Sequence, residues 1–140
     1  MREMSDLFGQ NLTLDVLAKA MQADALNQKL IANNIANVDT PGYHRLTLSF
    51  KSQLRKFLNQ TQEIKGVVDH PNDLPIGSPT SLKEVQPEVF VDNTTMMRPD
   101  GNNVDIDKEM ADLEQNSGDY QTLARLAAMK LAIYRTAITG

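Results

Sequence analysis

Apolar residues return every three or four positions at both ends of the chain and lose that rhythm between them. In the first flank Leu14, Ala18, Met21, Ala25, Gln28, Ala32 and Ile35 step alternately by four and three. That is a heptad seam with one polar member, Gln28. Ala18, Ala25 and Ala32 repeat at spacing seven, so a partner helix can approach closely. The spacing predicts a helix from near Asn11 or Thr13 to near Asn37. Pro41 and Gly42 stop it, because the residue before a proline avoids helical angles.

The second flank keeps the same step without a miss through Ile106, Met110, Leu113, Ser117, Tyr120, Ala124, Ala127, Leu131, Tyr134 and Ile138. Asp105 is the expected N-cap. Seven acids lie between Asp100 and Asp119 and three bases between Arg125 and Arg135, an order that complements the helix dipole. Ser117-Gly118 is the weak point of this helix, costing ~1 kcal/mol relative to Ala. A second apolar row, Leu123, Leu126, Ile133 and Ala137, runs beside the first. One row suffices for a helix hairpin. Two rows imply either several neighbours or cover from the middle segment.

All six prolines fall between Pro41 and Pro99, and a proline inside a helix costs ~3 kcal/mol. The flanks are therefore free to be long helices and the middle is not. Phe50, Leu54, Phe57 and Leu58 predict one short amphipathic helix, with Lys51, Arg55 and Lys56 on its polar side. Glu88 to Asp92 reads as one short strand with Val89 and Val91 on one face. His70-Pro71, Leu74-Pro75 and Ser78-Pro79 punctuate the rest. The expected fold is mainly α: two long terminal helices in an antiparallel, coiled-coil-like hairpin around a loop-rich, proline-containing insert. The expected segments are 1–40 for the first helix and its turn, 41–103 for the insert and 104–140 for the last helix.

Composition narrows the chemistry. The chain of 140 residues has no Cys and only two His, which removes thiol catalysis, disulfides and Cys- or His-rich metal centres. A net charge of −4 argues against a nucleic-acid face. The one basic cluster, Lys51, Arg55, Lys56 and Lys65, has no interleaved aromatics. Asp100 to Asp107 is rich in oxygen ligands. Counted from Asp100, however, Gly falls at position two and Asp105 at six, so the loop fails the EF-hand pattern. His70 with Asp69 and Asp73 is the remaining metal candidate and reads as an exposed loop. No nucleophile elbow, phosphate loop or H-E-x-x-H occurs, so no catalytic, cofactor or metal site is expected. The N-terminus lacks the basic and apolar regions of a secretory signal, and no apolar run is long enough to span a membrane.

Asn33-Asn34-Ile35-Ala36-Asn37-Val38-Asp39-Thr40-Pro41-Gly42-Tyr43 resembles the N-terminal signature of bacterial flagellar rod and hook proteins. Residues 100–111, with Asn116, Tyr120-Gln121 and Arg135-Thr136-Ala137-Ile138, are similar to the short proximal-rod members of that family. His44 stands where Lys or Gln is more usual, and Met21, Gln22 and Asp24 stand where basic residues are common. The resemblance implies a structural subunit that is exported from the cytoplasm through the flagellar type III apparatus without a cleaved signal. Such a subunit polymerises through its terminal helices into the periplasm-spanning rod of the basal body. It implies as partners other copies of the chain, other rod proteins and the adaptor between rod and membrane ring. Expected motif and interface residues are Asn34, Ala36, Asn37, Thr40, Pro41, Gly42, Tyr43, Met110, Leu113, Tyr120, Leu123, Leu131, Tyr134 and Ile138. Asn34 and Asn37 either cap the first helix and shape its turn or touch neighbouring subunits. Gly42 is expected to supply a backbone conformation closed to other residues. Two readings stand beside this one: another rod or axial subunit of the same family, and a stand-alone helical-hairpin adaptor or chaperone.

Overall fold

The computed structural model describes residues 2–63, 81–94 and 98–140. Its elements are α1 (Arg2–Ala36), β1 (Leu46–Ser49), α2 (Lys51–Glu63), β2 (Glu88–Val91) and α3 (Ile106–Thr139). They form two compact units, residues 1–47 with 91–140 and residues 48–90. Lys65, Asp69, His70 and Asp73 lie outside the described residues.

The first unit is the expected hairpin. α1 and α3 pack along each other and run antiparallel, since Asn34 meets Glu109 while Asn27 meets Asn116 farther back along α1. The Asp105 side chain caps α3, accepting from the backbone N–H of Asp107 and Lys108. α3 continues through Ser117-Gly118 to Thr139. α1 begins at Arg2, well before Asn11. Residues 2–12 hold no proline, and their single Gly9 costs only ~1 kcal/mol in a helix.

The seam differs from the sequence expectation by one residue. The α1 positions turned inward are Leu17, Ala20, Asp24, Asn27, Ile31 and Asn34, flanked by buried Ala23 and Leu30. Each is the neighbour of an expected seam residue, and one residue turns a helix by about 100°. Ala18, Ala25, Gln28 and Ala32 face out. In α3 the buried positions are Glu109 and Asn116, with Asp112, Leu113, Leu123, Ala127, Lys130 and Tyr134 half-buried. Met110, Tyr120, Leu131 and Ile138 are exposed instead of central. The cause is the polar content of the true seam. Asp24, Asn27, Asn34, Glu109, Asp112 and Asn116 count as outward in an apolar tally. A polar group can nonetheless be buried where its hydrogen bonds are made.

In the second unit α2 forms where the Phe50–Leu58 spacing predicts. Phe57 is buried and Leu54 half-buried, while Lys51, Arg55 and Lys56 face out. Among the described residues, Phe50, Phe57 and Val85 are its buried apolar ones. A turn at 81–85, closed by Glu84 N–H to Ser81 C=O at 3.0 Å, brings Val85 into place. β2 matches the expected strand and pairs with β1 in a two-stranded antiparallel sheet. The spacing had not announced β1. It carries no strict alternation of exposure, all four of its residues being half-buried.

Candidate functional site: the polar joint at the closed end of the hairpin

Where α1 stops, its orphan carbonyls need partners. Asn37 supplies one, its carboxamide N–H donating to Asn33 C=O at 2.8 Å. Thr40 Oγ1 donates to Asn37 Oδ1 at 3.1 Å and steadies that cap. The turn that follows α1 is held by the segment leading into α3. The Asn102 Nδ2 group, wholly buried, donates to the carbonyls of Asn37, Val38 and Thr40 at 2.8, 3.1 and 2.8 Å. Arg98 donates a further bond to Val38 C=O.

Two glycines let these segments approach. Gly42 has φ +71° and Gly101 φ +79°, a region that side chains with a Cβ disfavour. Gly42 N–H donates to Asp100 C=O at 2.9 Å. A Cβ on Gly101 would lie 3.5 Å from the Gly42 Cα, whereas one on Gly42 would meet nothing within 4 Å. The Gly42 requirement is therefore one of backbone conformation, as its place after Thr40-Pro41 implied.

Asn34 does not cap the helix. It reaches to Leu46 at the start of β1, donating from Nδ2 to Leu46 C=O at 2.8 Å, while Leu46 N–H donates to its Oδ1 at 2.9 Å. The Tyr43 hydroxyl donates to the same Oδ1 at 3.1 Å. Asn34 Nδ2 also donates to Glu109 Oε2 at 3.0 Å, tying α1 to α3. Burial raises the Tyr43 phenol above its ordinary range, and the Glu109 carboxylate adds to the effect.

Arg45 completes the joint. Its guanidinium donates Nε–H to Glu109, Nη1–H to Asp92 at 2.7 Å and Nη2–H to Asp112 at 2.7 Å. Burial alone would lower its pKa, but the bonds to Glu109 and Asp92 outweigh this and raise it. Glu109 is fully buried, and burial is tolerable for such charges only when they are paired and bonded. Asp92 is lowered to about 2, first by the Thr94 hydroxyl and backbone N–H and then by Arg45. Asn103 adds backbone clasps, accepting from Arg45 N–H at 2.6 Å and donating to Asp92 C=O.

This arrangement binds one stretch of chain to another. Among the described residues no cluster of three or more His, Asp and Glu could hold a metal ion. No described helix is long and apolar enough to cross a membrane.

Both halves of the joint are also what the chain shares with known proteins. Residues 14–44 match the family model described as flagella basal body rod protein. The flagellar basal body rod protein FlgB of Bacillus subtilis (strain 168) is 34% identical over 128 residues, 91% of this chain and 94% of that protein. The chain belongs to the flagellar basal body rod protein family. The FlgB proteins of Borreliella burgdorferi (34% over 119 residues, 83% of this chain and 87% of that one) and Escherichia coli K12 (34% over 123 residues, 77% and 84%) are similar over nearly the same span. Membership of the rod family makes it a structural protein, not an enzyme.

Of the expected motif residues, the joint gathers Asn34, Asn37, Thr40, Gly42 and Tyr43, while Ala36 and Pro41 are exposed beside it. Leu113, Leu123 and Tyr134 lie half-buried along α3, apart from the joint, and Met110, Tyr120, Leu131 and Ile138 are exposed. Sequence reasoning missed Arg45, Asp92, Asn102, Asn103 and Glu109 as site residues. A signal existed for three of them: Asn102, Asn103 and Glu109 sit in the segment that carries the C-terminal resemblance. Arg45 had none, since nothing in the spacing places a cation 64 residues from its carboxylate.

Proposed function

We infer that the chain is a proximal-rod subunit, polymerising through its terminal helices into the shaft that transmits torque from motor to hook. It assembles with other copies of itself and other rod proteins and meets the adaptor that joins rod to membrane ring. It leaves the cytoplasm through the flagellar type III apparatus without a cleaved signal.

One observation carries this reading. The hairpin seam admits polar residues among its apolar ones, while large apolar side chains stay on the surface of α3. Met129, Leu131, Ile133 and Ile138 are 62%, 57%, 58% and 85% exposed. Exposed apolar surface of this extent marks association faces, and a torque-bearing shaft needs lateral contacts along each subunit.

The test is expression in a flagellated strain that lacks its own proximal-rod subunit. Recovered motility, and basal bodies that contain the chain within complete rods, are the expected results. Rods that remain absent while the protein accumulates folded would overturn the reading. Retention of the chain in the cytoplasm of cells whose other rod proteins are exported would remove its export step.

A further inference from the structure

α3 carries apolar surface on both sides of the stripe that faces α1. At about 100° per residue, Ile106, Met110 and Tyr120 lie on one side, continued by Leu131 and Ile138, and Leu126, Met129 and Ile133 lie on the other, about half a turn away or slightly less. On the second side the helices leave a groove of about 190 Å³, lined by Thr13, Leu17, Leu126, Met129, Lys130 and Ile133. On the first side Ile106, Met110 and Tyr120 form a ridge, 40%, 48% and 38% exposed.

Charge separates the two along the helix. The ridge half, residues 105–119, carries six acids and one base, and Asp107 and Glu114 are exposed beside the ridge. The groove half, residues 120–140, carries Arg125, Lys130 and Arg135 and no acid. An identical neighbour therefore offers an apolar row of opposite charge to the groove.

We propose that the groove of one copy receives Ile106 and Met110 from the ridge of the next, with the two α3 helices parallel and displaced along their axes. Placing Met110 of one copy over Met129 of the other sets Ile106–Tyr120 against the basic half of α3. The displacement is then about 28 Å at ~1.5 Å per residue. Ridge and groove occupy different faces of α3. The contact is thus heterologous and leaves a free ridge and a free groove after each addition, which builds an open helical array, not a closed dimer. The proposal rests on the rod-subunit reading and specifies which faces meet.

The absence of Cys in the chain permits a direct test. Full-length chains carrying Met110→Cys, Met129→Cys or both are treated at high concentration with a short bis-maleimide. The expected result is dimers and higher multimers from the double variant, dimers alone from a mixture of the two single variants, and none from either single variant. Lys130→Glu in the Met129→Cys chain should abolish the mixed dimer, and Glu114→Lys in the Met110→Cys chain should restore it. Self-linking of either single variant would show like faces meeting and overturn the proposal. So would the absence of multimers from a double variant that circular dichroism shows to be folded. Motility of the null strain bearing the unsubstituted chain is scored separately. Recovery there with no cross-link in solution or in isolated basal bodies refutes the ridge-and-groove contact and leaves the rod reading standing.

Discussion

The Asn34 side chain pairs with the main chain of Leu46 as a neighbouring strand would, taking its N–H at 2.9 Å and giving to its C=O at 2.8 Å. One carboxamide at the end of a helix thereby fixes where the following strand begins. Neither Asp nor Gln can replace it. Asp lacks the donor, and Gln carries the amide one methylene too far for both bonds.

Arg45 is the costliest side chain to lose. Arg45→Met leaves the fully buried Glu109 carboxyl without its cation, with Asn34 as its remaining side-chain partner. Breaking such a pair by removing one partner costs about 3–5 kcal/mol. The urea midpoint of Arg45→Met should fall accordingly at unchanged slope. Adding Glu109→Gln, which still accepts from Asn34, should recover part of the loss. A single variant as stable as the parent would show the ion cluster to be decorative.

Asn102→Ala exposes the α1 terminus to a different loss. The buried Val104 N–H loses its acceptor, and the carbonyls of Asn37, Val38 and Thr40 each lose one of two donors. An unsatisfied buried group costs about 1–3 kcal/mol, so the thermal midpoint should drop by several degrees. Asn102→Asp should be worse than Ala, because it turns a carboxylate toward those carbonyls.

Acid should loosen the joint over a defined window. Asp92 is held at about 2, below its ordinary 3.8. A depressed carboxylate contributes stability in full above its unfolded value, and that contribution disappears as pH falls through the folded value. Stability should therefore decline between about pH 4 and pH 2. Asp92→Asn retains an acceptor for Thr94 but no charge for Arg45, so its urea midpoint should be lower at neutral pH and change less across that window. Parallel pH profiles for the two proteins would contradict the assignment.

Gly42 separates conformation from crowding. Its positive φ costs a residue with a Cβ about 1–2 kcal/mol, and nothing stands where that Cβ would go. Gly42→Val should be less stable than Gly42→Asn, since Asn enters the left-handed region more readily. Equal losses measured by thermal melting would reject the backbone argument.

Leu131 tests the surface assignment. It is 57% exposed, so Leu131→Glu should shift monomer stability by no more than about 0.5 kcal/mol, as surface changes do. The same variant should still impair rod assembly. A large loss of monomer stability would return Leu131 to the hairpin seam.

The sequence spoke clearly where backbone chemistry is local. The prolines bounded the helices, Asp105 capped α3, and Gly42 marked the left-handed turn. It misled where inward side chains are polar. The tally of apolar residues chose Ala18, Ala25 and Ala32 over Leu17, Asp24 and Ile31, because the reward for burying Asn27 and Asn34 comes from partners on the other helix. Arg45 and its carboxylates were illegible for the same reason, being brought together only after the hairpin closes. β1 was hidden because its start is set by Asn34, not by its own alternation.

The polar rungs also give the hairpin teeth. Asn27 Nδ2 donates to Asn116 Oδ1 at 2.9 Å, and Asn116 Nδ2 donates to the Asp24 carbonyl at 2.9 Å. An all-leucine interface could slip by one heptad, about 10 Å, and find a comparable fit. Here a slip one way sets Leu123 against Asn27, and a slip the other way sets buried Glu109 there without Arg45. Shear along the helix axes thus meets a few discrete detents, and a load too small to break a whole rung moves nothing.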